Sequence, residues 1–180
     1  METLNIQELK YPIGEFVAPL HFEFDKVPHI ISKIETFPNL IKNQVQHLTV
    51  EQLKLKYREG GWSVAQVVNH CADSHINAFI RLKLALTEDY PTIKPYNQNL
   101  FAELPDSNES NVDDSLQILE AVHKKWCVIL KQMQEQDFLK GYIHPEYNKK
   151  YTLFEFISLY AWHGKHHLAQ IKSVFKNLNN

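Results

Sequence analysis

Three histidines fall within five positions near the end of the chain: His163, His166 and His167 of "LYAWHGKHHLAQI". Neutral imidazoles ligate zinc, nickel or iron, and three of them with a fourth position open is a known catalytic arrangement. On a helix, residues four apart differ by about 40° around the axis and lie one turn apart, so His163 and His167 point the same way. His166 lies about 60° from His163 on the other side, which makes His163/His166 a poorer but possible pair. Two ligands hold an ion weakly, so a third must come from elsewhere. "NHCADSH", Asn69 to His75, offers His70 and His75. These differ by about 140° around their own helix, so only one readily faces a given interior point. His70 shares a side with Val67, Ser74 and Asn77. Asp73 follows it by nearly a turn and could accept from the other ring nitrogen of a ligand imidazole. Histidine pairs at this spacing also occur on solvated or core-packed helices, and spacing alone does not decide.

Other constellations carry less chemistry. "EAVH", Glu120 to His123, matches the Glu-x-x-His of di-iron bundles. Those need a second copy and further glutamates, so a solvated helix face is expected there. "HGKHH" lacks the glutamate of HExxH zincins, and there is no GxSxG, P-loop or dinucleotide fingerprint. Cys71 and Cys127 have no CxxC spacing and read as small buried thiols, consistent with a reducing cytoplasm. Trp162 reads as a core or groove aromatic.

The elements that must hold these residues are helical. Glycine is scarce, at five residues in 180, and apolar residues recur at i, i+3 and i+4. The segment to about Asp25, with Pro12, Gly14 and Pro19 among aromatics, reads as an extended N-terminal arm packed on the body. A helical region from Val27 to Leu48 should kink or break at Pro38. Thr49–Gln52, Ser63–Gln66 and Thr152–Glu155 fit the capping box. The second should open a helix to about Leu86 and the third a helix to about Phe175. Another helix runs from Asp113 to about Gln136. Thr87 to Asn111 reads as a long loop that covers a site, and "KGYIHPEYNKKY" as a plain connection. Four long helices in one domain predict an all-α four-helix bundle, whose interior commonly houses metal sites.

Composition excludes several classes. With 19 basic and 21 acidic residues the formal charge is −2, which gives no electrostatic case for nucleic acid. No apolar run is long enough for a membrane span, and the N-terminus lacks a basic start followed by an apolar stretch. A cytoplasmic protein without a membrane or nucleic-acid partner is expected.

"YPIGEF" (Tyr11–Phe16), "GGWSVAQVVNHCADSHINAFIRLKLALTEDYPTIKPY" (Gly60–Tyr96), "AELPD" (Ala102–Asp106) and "LYAWHGKHHLAQI" (Leu159–Ile171) together resemble the DinB/YfiT-like superfamily, YfiT branch. Its members are described as metal-dependent hydrolases and as bacillithiol transferases. The resemblance spans nearly the whole chain. It implies an up-down-down-up four-helix bundle, a homodimer, and a divalent metal, nickel or zinc, held by His70, His163 and His167. His75 and His166 then fall outside the ligand set. Asn69, Cys71 and Phe101, where tryptophan is expected, depart from the family's pattern, and none is a ligand position.

The leading expectation is a thiol S-transferase. A low-molecular-weight thiol, bacillithiol in the resembling branch, would be deprotonated on the metal and attack an electrophile. The alternative is a hydrolase acting on an amide or ester through metal-activated water. A third is a non-enzymatic, metal-stabilised module. Arg81, eleven positions after His70, reads first as a surface arginine lying over an apolar flank, and otherwise as a contact for an anionic thiol cosubstrate.

Overall fold

The computed structural model describes residues 6–108 and 111–178. In chain order these form α1 (Ile6–Lys10), α2 (Val27–Val45), α3 (Val50–Leu53), α4 (Val64–Thr87), α5 (Gln98–Ala102), α6 (Pro105–Asn108), α7 (Asp113–Leu130), β1 (Gly141–His144), β2 (Lys149–Thr152) and α8 (Leu153–Leu178). All three capping boxes form. Thr49 with Gln52 and Ser63 with Gln66 exchange reciprocal bonds at the starts of α3 and α4. Thr152 and Glu155 do the same at the start of α8, at 2.9 and 3.1 Å. Each box satisfies two backbone donors that a helix start leaves unpaired.

The four long helices bury their apolar faces in two clusters. One contains Ile34, Leu82, Trp126 and Phe156, and the other Ile41, Val68, Leu119 and Ile171. Their order along each helix gives the topology. α2 and α8 run from the first cluster to the second, whereas α4 and α7 run from the second to the first. That is an up-down-down-up bundle. α2 packs against α7 and α8, and α4 packs against the same two. Between the clusters three helices carry buried polar residues at one level: Ser74 and His75 on α4, His123 on α7, His166 and His167 on α8.

Several expectations are corrected. α2 continues through Pro38 to Val45, so of the kink or break expected there the break does not occur. "KGYIHPEYNKKY" is no plain connection: β1 and β2 pair antiparallel within it, from Gly141↔Thr152 to His144↔Lys149. A Cβ on Gly141 would lie 1.9 Å from the Tyr151 carbonyl oxygen, so this close approach requires glycine. The 87–111 loop contains α5 and α6 and bonds to β1 through Ile93 and Ile143. It is tied to α4 as well: Gln66 donates to the Ala102 carbonyl, and Asn69 donates to that of Ser107. Asn69 also accepts from Ser115. α7 stops at Leu130, and a 3-10 turn at Glu135–Leu139 follows. The arm begins with α1 and then lies across α8, Tyr11 against His166 and Phe16 against Trp162, ring centroids 5.8 Å apart in both pairs. No helix among the described residues is long and apolar enough to cross a membrane.

Candidate metal centre

His163 and His167 project from α8 on one face, as the four-residue spacing predicts, and meet His70 from α4. One ligand atom from each lies within 4.8 Å of the other two. The Nε2 atoms of His70 and His163 are 3.3 Å apart, and those of His163 and His167 are 3.2 Å apart. Nitrogens at about 2.0–2.1 Å from a tetrahedral zinc stand about 3.3–3.4 Å from each other. These two spacings therefore match edges of a tetrahedron around one ion. His70 and His167 are buried and His163 partly so. No fourth histidine, cysteine or carboxylate joins the group among the described residues.

The ring protons support the same conclusion. Nδ1 of His167 is 2.8 Å from Oε1 of Gln170, whose amide nitrogen donates to the Lys10 carbonyl at 2.9 Å. That amide is thus oriented, its oxygen accepts, and His167 presents a bare Nε2 to the centre. Burial pulls the pKa of His70 down to about 4, with a smaller push from His166. Burial likewise holds His163 and His167 well below the ordinary 6.5. All three are neutral near pH 7, as ligation demands. Facing lone pairs repel one another, and a cation between them removes that repulsion.

One side of the triad opens on a cavity of about 440 Å³. Trp62 and Trp162 stand in its walls, Lys10 comes from the arm, Arg58 from the stretch before α4, and Asn99 from α5. Among the described residues no aspartate, glutamate or cysteine lines it. Nε of Arg58 is buried without a partner among the described residues. The loop expected to cover a site thus contributes part of the wall.

The remaining candidates fall as follows. His166 is buried at the cavity edge, stacked on Trp162 with centroids 4.6 Å apart and an interplanar angle of 16°, and is not in the triad. His75 lies behind His163, with Nε2 3.1 Å from His163 Nδ1. Asp73 was expected to orient a ligand imidazole, but no histidine donates to it among the described residues; its backbone carbonyl accepts from the Asn77 side-chain amide. Gln170 and His75 hold that position, one for each α8 ligand. Arg81 does not line the cavity; it donates to the Lys94 carbonyl and lies over the Tyr96 ring. Arg58, in "YREGGW", was missed, because an exposed-looking arginine between helices carries no periodic signal. Cys71 and Cys127 are buried, and burial raises both thiols, Cys127 to about 11. Neither supplies a nucleophile to the cavity. His123 is buried, against the expectation of a solvated face.

Residues 34–171 match the model of the DinB superfamily. A protein of Oceanobacillus iheyensis named "Putative metal-dependent hydrolase" is 47% identical over 93% of this chain and 96% of its own. A Bacillus cereus protein with the same name is 45% identical over 97% of this chain and 99% of its own. The solved structure of YfiT from Bacillus subtilis superposes with a TM-score of 0.93 at 38% identity, covering 96% of this chain and 98% of that one. It is described as "a probable metal-dependent hydrolase with an unusual four-helix bundle topology".

Proposed function

The chain belongs to the DinB superfamily, and from that premise we propose that it is a metal-dependent hydrolase of small anionic molecules. The observation that carries this reading is the triad itself: three neutral imidazoles with ligand atoms within 4.8 Å of one another, two of their spacings matching a tetrahedral edge, without a fourth protein ligand among the described residues, open on a cavity. A structural zinc site is normally closed by four protein ligands. His70, His163 and His167 would hold the ion. Once bound, it supplies a Lewis acid with an open position, at which water or a thiol loses its proton near neutral pH.

The chain's own groups then select and place the substrate. Lys10 and Arg58 put positive charge on a wall that, among the described residues, contains no carboxylate, which favours an anion. Trp62 and Trp162 give flat apolar walls and narrow the access of bulk water. The names of the relatives agree with hydrolysis.

A second reading, thiol S-transfer with a cosubstrate such as bacillithiol, is favoured by one feature. Among the described residues the cavity wall holds no carboxylate to act as a general base, and a coordinated thiol needs none. The test is a panel of anionic esters, amides and electrophiles offered to the metal-loaded chain with and without added thiol. Turnover without thiol, abolished by chelation and in His163→Ala, supports hydrolysis. Turnover only with thiol supports transfer, and no metal-dependent turnover in either arm rejects an enzymatic role on these classes.

A further inference from the structure

Behind His163, away from the cavity, a line of buried groups crosses the bundle. His163 Nδ1 is 3.1 Å from His75 Nε2, and His75 Nδ1 is 2.6 Å from His123 Nε2. His123 Nδ1 in turn is 2.6 Å from the carbonyl oxygen of Ile34. A carbonyl oxygen only accepts, so His123 carries its proton on Nδ1. Its Nε2 is then a lone pair and accepts from His75 Nδ1–H. His75 Nε2, left bare, accepts from His163 Nδ1–H. Run the other way, the chain would press a lone pair against the Ile34 oxygen. The far end therefore sets the direction, and His163 is left with a bare Nε2 towards His70 and His167.

The free carbonyl has its own cause. In a helix the oxygen of residue 34 accepts from the N–H of residue 38, and residue 38 is a proline without one. His123, reaching across from α7, supplies the missing donor. The layer leaves little room for another arrangement. His75 and His123 are 1% and 3% exposed, and the Phe37 ring packs on both at 5.3 and 5.7 Å between centroids. A Cβ on Gly164, next to His163, would lie 2.8 Å from that same ring.

We propose that His75 and His123 are positioning residues for the metal. They form a hydrogen-bond chain anchored at the α2 backbone by Pro38, and it locks His163 in the tautomer that offers Nε2 to the ion. Partners of this kind orient the ligand ring and raise its basicity. The inference rests on the three-histidine reading above, but its test has a readout that needs no metal.

Histidine tautomers would be read by long-range proton–nitrogen NMR on the metal-free full chain, and zinc affinity by competition with a chelator, for wild type, His123→Phe and His123→Gln. The wild type should show His163 protonated on Nδ1. His123→Phe keeps a ring of similar size but can neither accept nor donate. It should scramble the His163 tautomer and weaken zinc by about 10- to 100-fold. His123→Gln carries an acceptor for His75 and a donor for Ile34 in one amide, and should restore both. Wild-type tautomer and affinity in His123→Phe would overturn the proposal. So would equal losses in the Phe and Gln variants, which would point to packing alone. A wild-type chain that takes no zinc would sink the metal reading, while the tautomer spectrum would still decide this one.

Discussion

The two α8 ligands are held by different means, and the difference is testable at single residues. His167 leans on Gln170, whose other end ties the arm at the Lys10 carbonyl. Gln170→Leu keeps the volume but removes the acceptor. It should lower zinc affinity by about 10- to 100-fold with helix content unchanged, read by chelator competition and circular dichroism. Unchanged affinity would remove Gln170 from the site. The sequence carried the candidate ligands that the structure brings together, because helical spacing aligns His163 with His167 and the family resemblance selects His70 over His75. It did not carry their supports. Asp73 was the nearest carboxylate in sequence, but the groups within hydrogen-bond distance of the α8 histidines are Gln170, three residues after His167 on the same helix, and His75, which meets His163 only once α4 and α8 pack.

The start of each helix was more legible than its partner in the bundle. Ser63 and Thr152 mark α4 and α8 because a capping box is a local, reciprocal pair of bonds. Pro38 was read as a residue at which the helix kinks or breaks, and α2 continues through it. The replacement donor, His123, comes from α7, eighty-five positions later, and no local pattern announces it. The β1–β2 hairpin escaped for a related reason. Its strands are four residues each, too short for alternation to stand out, and Gly141 works through proximity to Tyr151 rather than through a turn signal. Gly164 belongs to the same class: its lack of a side chain makes sense only once Phe37 of α2 lies against α8.

For the whole molecule, the consequence of this layer is acid sensitivity. Burial depresses the pKa of His70, His123 and His166 to about 4, and holds His75, His163 and His167 well below 6.5. Above pH 6.5 both folded and unfolded chains keep these rings neutral, so no penalty arises. Between 6.5 and about 4 the unfolded chain takes up protons that the folded chain refuses, and stability falls as pH falls. Thermal melts of the metal-free chain should therefore drop steeply across that window and stay nearly flat from pH 7 to 8. Bound metal should raise the melting temperature at neutral pH by mass action. A metal-free melt independent of pH from 7 to 5 would mean that the histidine layer is solvated.

All of this depends on one ion at one triad. The most direct measurement is a titration of the metal-free chain with cobalt(II), followed in the visible d–d bands, for wild type and His163→Ala. One equivalent per chain should produce the intense spectrum of a four-coordinate ion, and His163→Ala should abolish it. A weak, six-coordinate spectrum, or one that survives His163→Ala unchanged, would contradict the account.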